Sequence, residues 1–381
     1  MNPTEADQII HTDCAYYRGS APCVFHKRDG RPCPGCADYA PLGQKILVVK
    51  LDAMGDVLRT TAILPALRKK FPGAQVTWVT RERSRPLLEG NPHLHRVLAV
   101  EGNYLEALQT ENFDLGIGLD ADALSAQIMS LARCHEKLGF IAGRFGVGEP
   151  ASPEARTWWL MGVNDRLKKA NRRTYQEIMY EICRLPGPVA RPELPARLLD
   201  ESLISRYRTT LGLAPGRKVI GLNTGGGGRW QCKKWTVPGF VELIRQLRRR
   251  GPEAVLLLYG GPEEEQFNAD IMKQCAGQVV DLGCRNPVGD FASLVSLADL
   301  FFTPDSLGFH IAVALGKRTV VLVGPTSPWE LDVYGQGRVL VADEECAACY
   351  RGRCEQRPTC MEKLDPAVVI EALIQEQAMV K

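Results

Sequence analysis

No apolar run in the 381 residues approaches the roughly 20 needed to cross a bilayer, so a membrane-spanning helix is not expected. The opening residues, Met1 to Asp7, hold neither a basic start nor an apolar stretch, which argues against a secretory signal and for a cytoplasmic protein. A net charge of +3 is too small to point to nucleic acid. The basic clusters at 68–70, 166–173 and 245–250 read as solvated helix faces, with contact to anionic lipid as the alternative. The G-K-[ST] of a P-loop and the G-x-G-x-x-G of a dinucleotide fingerprint are also missing. The chain is otherwise of ordinary globular composition, 45% hydrophobic and 24% charged, and its length suits two domains rather than one core.

Cysteine is abundant instead, and unevenly placed. Of thirteen cysteines, four fall within the first 36 residues and four between 346 and 360. In a reducing compartment such clusters point to metal rather than disulfides. Cys14, Cys23, Cys33 and Cys36 end in a C-P-G-C turn, and four thiolates make a closed tetrahedral structural zinc site, with His26 as a spare ligand. A disordered or inert arm is the alternative. Cys346, Cys349, Cys354 and Cys360 form the second set, where thiolate ligands suit zinc and iron alike.

From residue 45 the pattern is α/β. Lys45 to Lys50 is a continuous apolar run suited to a strand buried on both faces. Val57 to Phe71 has helical spacing, with Pro65 expected to kink it. Strands are expected at Gln75–Val79, Val97–Val100, Asp114–Leu119 and Lys137–Phe140. Gly143 to Arg172 reads as a long irregular segment, and Gly212 to Gly216 as an interdomain hinge. A second wheel follows, with strands at Lys218–Leu222, Ala254–Tyr259, Val279–Leu282, Asp299–Thr303 and Thr319–Val323. Strands alternating with helices at this spacing predict parallel, doubly wound sheets.

Two loops of the second wheel carry chemistry. Asn223 to Gly228 follows an apolar strand with four glycines and leads to Lys233 and Lys234, which suits a backbone cradle for a pyrophosphate neutralised by lysine. Pro304-Asp305-Ser306-Leu307-Gly308 joins a strand to a helix, where free N–H groups seat phosphate and Asp305 suits sugar hydroxyls. Helix capping by Asp305 or Ser306 is the plainer reading.

Four stretches occur in a telling order: K-L-D-A-M-G-D-V-L-R-T-T at 50–61, N-T-G-G-G-G…K-K-W at 223–235, G-G-P-E-E-E at 260–265, and D-S-L-G-F-H…G-P-T-S-P at 305–328. Together they resemble glycosyltransferase family 9, the ADP-heptose:lipopolysaccharide heptosyltransferases, over residues 45–381. The resemblance implies a GT-B architecture: two Rossmann-like, doubly wound α/β domains facing a cleft, here with a small Cys-rich module added. Its expected divisions are a metal-binding module at 1–42, an acceptor domain at 43–212, a nucleotide-sugar domain at 213–365, and a helix at 366–381 packing back on the first domain.

The same resemblance makes Asp56 the general base, with an N-cap role for a helix starting at Val57 as the plainer alternative. Asp52, Met54, Gly55 and Arg59 would lie on the acceptor loop. Lys233 matches the phosphate-contacting lysine, Asp305 would hold sugar hydroxyls, and the amides of Ser306, Leu307 and Gly308 the pyrophosphate. Asn223, Thr224, Gly225, Gly226, Lys234 and Glu263 complete the donor side, and His310 is a second catalytic candidate or a packing residue. Where many members read D-[ST]-G, this chain has its glycine one place later, at Gly308.

The expected activity is inverting transfer of heptose or a related sugar from an ADP-sugar to a lipid-linked saccharide, at the inner membrane face. No catalytic metal is expected, since helix N-termini and lysine would meet the leaving-group charge. Structural zinc or iron would occupy one or two four-cysteine sites. A protein acceptor of the autotransporter kind is the enzymatic alternative, because members that modify such proteins bind iron through four cysteines and form large oligomers. A metal-stabilised sugar-nucleotide scaffold without turnover is the non-enzymatic one.

Overall fold

The computed structural model describes residues 9–227, 230–343 and 345–380. Gly228, the last glycine of the run of four, lies outside them. Two six-stranded sheets organise the chain. The first contains β1 (Lys45–Val49), β2 (Gln75–Thr80), β3 (Arg96–Ala99), β4 (Asn112–Gly118), β5 (Arg133–Ala142) and β6 (Gly148–Pro150), in the order β3-β2-β1-β4-β5-β6. All neighbours are parallel except β5 and β6. The second contains β7 (Val219–Asn223), β8 (Val255–Tyr259), β9 (Val280–Asp281), β10 (Leu300–Pro304), β11 (Arg318–Val323) and β12 (Gly337–Val341), in the order β12-β11-β10-β7-β8-β9, parallel throughout.

Apolar, β-branched runs explain the strands. Every residue of β7, β8 and β10 is buried, as a sheet covered on both faces requires. The order reverses between β1 and β4 in one sheet and between β7 and β10 in the other. Such switch points open a crevice beyond the carboxyl ends of the strands, where ligands bind.

Nine helices enter the account: α1 (Met54–Thr60), α2 (Ile63–Lys70), α3 (Arg156–Val163), α4 (Asp165–Ala170), α5 (Tyr175–Ile182), α6 (Glu201–Thr210), α7 (Val288–Val295), α8 (Leu307–Ala314) and α9 (Pro366–Ala378). The single kinked helix expected over 57–71 is two helices. The break falls at Thr61 and Ala62, ahead of Pro65, which sits in the first turn of α2 where its missing N–H costs nothing. The segment 143–172 is not irregular, since it holds β6, α3 and α4, with Asn164 capping α4 through the N–H groups of Arg166 and Leu167.

The last helix does not return to the first domain. Val369, Ile370, Ala372 and Leu373 of α9 join the core of the second sheet, beside Leu300, Val320 and Leu322. Arg318 fixes the helix further through Glu376, at 3.0 Å. Helix α6 also packs on the second domain, with Leu203 and Ile204 in one cluster with Val219, Leu294 and Val295. Gly212–Gly216 therefore lies within that unit rather than between the two. In the N-terminal module a short helix, Val24–Asp29, is capped by the Cys23 sulfur, and Cys14 bridges to Pro41.

Candidate active site

The two switch points face one cleft of about 920 Å³. Met54, Gly55, Asp56 and Arg59 border it from the first domain, and Gly226, Lys233, Asp305, Ser306, Leu307, His310 and Thr326 from the second.

The first-domain loop is braced from below. Lys50, buried at the end of β1, pairs with Asp120 after β4 and donates to the Asp52 carbonyl at 2.7 Å. Asp120 also accepts the Leu51 N–H at 2.7 Å. Burial works against the Lys50 charge, but Asp120 outweighs it and raises the lysine above its usual range. Helix α1 then starts at Met54, earlier than expected, so Asp56 stands inside the first turn and is not the N-cap. Its Oδ2 accepts the Ala53 N–H at 3.3 Å, and its Oδ1 meets Arg59 Nη2 at 2.7 Å. Arg59 in turn lies over the Tyr175 ring at 3.6 Å, and the Tyr175 hydroxyl meets Thr60 Oγ1 at 2.7 Å.

In the second domain Asp305 is the hub. Lys233 Nζ and Thr326 Oγ1 donate to its Oδ2 at 2.7 and 2.8 Å. Asn223 donates to Thr303 Oγ1 at 2.9 Å and to Ser306 Oγ at 3.2 Å, tying the end of β7 to the start of α8. Gly308 leaves room for that amide, because a Cβ there would come within 2.8 Å of Asn223 Nδ2. His310, one turn into α8, is buried at 7% exposure and faces Gly55 across the domain boundary.

The charges are settled by this packing. Burial raises the carboxyl of Asp56, but Arg59, Lys50 and His310 outweigh it and hold it below the usual carboxylate range. Burial also opposes ionisation of Asp305, yet Lys233 and His310 keep it well below that range. Burial, with Arg59 nearby, pushes the His310 imidazole down to about 4. At neutral pH the centre of the cleft thus presents the Asp56 and Asp305 carboxylates beside Arg59 and Lys233, with a neutral His310 imidazole between them.

Not every expected residue reaches the cleft. Asp52 turns away to Arg81 and Arg83. Thr224 is fully buried and bonds Tyr259 O and Asn268 Oδ1. Lys234 pairs with Glu264, whose other oxygen accepts the Gly261 N–H, so Glu264 rather than Glu263 supplies the carboxylate there. Asn223, Gly225 and Gly308 support the rim from behind it.

Other lining residues were passed over in the sequence: Trp158, Trp159 and Lys168 from α3 and α4, and Glu330 and Tyr350 opposite them. Lys168 Nζ sits 3.5 Å from the Tyr350 ring centroid, and Tyr350 donates to Glu330 Oε1 at 2.8 Å. The chain also holds two acids spaced as D-x-D, Asp120 and Asp122, with Ala121 between them. Asp120 is committed to Lys50, and Asp122 caps the helix Ala123–Leu131.

All eight clustered cysteines are free thiols, and among the described residues no three His, Cys, Asp or Glu side chains converge on a formed metal site. A fifth thiol joins the C-terminal set, however. Cys232, next to Lys233, donates to Gly352 O at 3.6 Å and accepts the Cys354 N–H.

Residues 166–359, just over half of the chain, match the model of glycosyltransferase family 9 (heptosyltransferase). The chain belongs to glycosyltransferase family 9. It is 24% identical over 307 residues to lipopolysaccharide heptosyltransferase 2 of Salmonella typhimurium, covering 74% of this chain and 84% of that one. A family 9 glycosyltransferase from Veillonella parvula shares the fold at a TM-score of 0.71 and 18% identity, over 88% of this chain and 98% of that one. The ADP-heptose lipopolysaccharide heptosyltransferase II of E. coli does so at 0.61 and 21%, over 87% and 99%. The iron-containing dodecameric glycosyltransferase TibC of enterotoxigenic E. coli aligns at 0.54 and 11%, over 89% and 77%. The architecture is GT-B, two parallel-sheet domains about a cleft.

Proposed function

We propose that this family 9 member transfers heptose from ADP-heptose to a lipopolysaccharide-core saccharide, with inversion at the anomeric carbon. The observation that carries the reading is the meeting of two unlike carboxylates across one cleft. Asp56, on the first domain, faces a second-domain wall of Asp305, Lys233 and His310. The donor would lie on that wall, its diphosphate against Lys233 and the amides that open α8, its sugar hydroxyls against Asp305. The acceptor hydroxyl would lie over Asp56. As its oxygen bonds to the anomeric carbon, the bond to the diphosphate breaks, ADP leaves with the electron pair, and Asp56 takes the hydroxyl proton. Arg59 keeps Asp56 ionised and lowers its basicity, so the proton moves late, when the hydroxyl is most acidic. The Trp158–Trp159 wall offers apolar surface to the acceptor sugars. Lysine and helix N–H groups, rather than a divalent ion, take up the leaving-group charge in this reading.

The protein would act at the cytoplasmic face of the inner membrane. No helix of the described residues is long and apolar enough to cross it. We also assign a soft structural metal, zinc or iron, to the C-terminal thiols Cys346, Cys349, Cys354 and Cys360, where Cys232 stands by as an alternative ligand. The four N-terminal cysteines are a second candidate set. An all-thiolate donor set fits either ion, and the ion would cross-link the loop that brings Tyr350 to the cleft. Metal analysis of protein made with zinc or iron supplied should give one or two ions per chain, and metal-free folded protein would refute it.

Purified protein incubated with ADP-heptose tests the enzymatic reading. Transfer to a truncated lipopolysaccharide core supports it, and transfer to a protein acceptor alone would redirect the acceptor assignment. Binding of ADP-heptose without transfer to either would leave a scaffold.

A further inference from the structure

Beneath the loop that leads to Asp56 lies a charge pair with no part in the transfer chemistry derived above. The Lys50 side chain is 4% exposed and that of Asp120 13%, and neither borders the cleft. Together they grip the backbone on its way into α1. Asp120 accepts the Leu51 N–H and Lys50 donates to the Asp52 carbonyl, both at 2.7 Å. The next amide, the Ala53 N–H, is the one that Asp56 accepts. Three successive residues are thus each held by a hydrogen bond, and the third bond ends on Asp56. Closing a switch point does not require charge. At the other one Asn223, ending β7, donates to Thr303 of β10 at 2.9 Å, so a neutral pair ties the strands there. Burying a lysine with a carboxylate carries a desolvation cost that can match their attraction, so stability alone is a poor reason for the pair.

We propose that Lys50 and Asp120 are a positioning pair for the transfer step, fixing the 51–53 backbone so that the Asp56 carboxylate meets the acceptor hydroxyl, with Lys50 as a second cation beneath it. Asp56 is faced by Arg59 on its own helix, Lys50 after β1, Asp120 after β4, Tyr175 on α5 and His310 on α8, with Asp305 and Lys233 across the cleft. Arg59 shares α1 with Asp56 and cannot fix that helix relative to the sheet. Lys50 and Asp120 stand at the ends of neighbouring central strands, and they can. The proposal rests on the reading of Asp56 as the base, which Asp56→Asn tests by itself.

The test is the whole chain carrying Lys50→Met and Asp120→Asn together, which removes both charges at similar size and leaves no buried ion alone. Its melting temperature should stay near wild type, as exchange of a complete buried pair commonly allows. Calorimetric affinity for ADP-heptose should be unchanged. Amide hydrogen exchange over residues 51–56 should quicken by at least about tenfold, a local loosening that needs no acceptor to be seen. The turnover number should fall at least about tenfold with KM for ADP-heptose little changed. The acid limb of its pH profile should rise by about one pH unit, because Asp56 loses a cation. Asp120→Asn alone keeps Lys50 and should lower turnover without raising that limb. Wild-type exchange and turnover in the double variant, beside an inactive Asp56→Asn, would overturn the positioning role and leave the base assignment standing. Slow turnover with an unmoved limb, or a double variant that melts far below wild type, would also overturn it and leave the pair as support for the fold.

Discussion

A Cβ placed on Gly55 would stand 2.6 Å from Cδ2 of His310, so the helix bearing Asp56 and the helix after Asp305 meet through the His310 imidazole packed on the bare backbone of Gly55. This contact sets how closely the two halves of the cleft approach. It joins the first turn of α1 to the first turn of α8, each at a switch point of its own sheet.

Gly55→Ala should therefore act by overpacking alone, since Gly55 is not among the residues with positive φ. A loss of about 1–3 kcal/mol is expected in thermal or denaturant unfolding. Turnover should fall as the halves part, while calorimetric ADP binding, confined to the second domain, stays near wild type. Unchanged stability and turnover would mean that the domains do not close to this contact.

His310 gives a pH signature. Its imidazole sits at about 4 in the folded protein against 6.5 as the ordinary value. Between those values the unfolded chain binds the extra proton, so stability drops as pH falls from about 6.5 to 4 and this share levels off below. The full share is about 3 kcal/mol. His310→Asn should flatten that part of the stability profile, whatever its own baseline. An unaltered slope would show that the imidazole is not held neutral by burial.

Lys233→Ala should weaken ADP binding by about 2 kcal/mol, roughly thirtyfold, because a diphosphate loses a charge-assisted partner. Wild-type protein at 100 times its dissociation constant for ADP should gain about 2.7 kcal/mol of stability. Lys233→Ala also strips Asp305 of its buried counter-ion, so the unliganded variant should melt lower. Equal ADP affinity in the variant would move the diphosphate away from this lysine.

Much of this was legible because local and global signals agree around the switch points. An apolar run, then a polar loop, then helical spacing marks a strand end in the sequence, and both acids lie at such a place, Asp305 in the loop itself and Asp56 in the first turn of the helix that follows. Helices of eight and six residues, α3 and α4, are too short to show their period, so Trp158, Trp159 and Lys168 stayed hidden in a segment that looked irregular. Tyr350 and Glu330 reach the cleft only through long-range packing, which no local pattern announces. The docking of α9 depends on which core has room for Val369, Ile370 and Leu373, a matter of shape rather than of pattern.

The most direct test of the account is turnover by Asp56→Asn at saturating ADP-heptose. Asparagine keeps the size of the side chain and an oxygen to accept the Ala53 N–H, so α1 should start as before. Only the capacity to take the acceptor's proton is removed. The turnover number should fall by about a hundred- to ten-thousandfold, with the dissociation constant for ADP little changed. Near-wild-type turnover would contradict the assignment, and would leave Asp56 as a brace between Ala53 and Arg59.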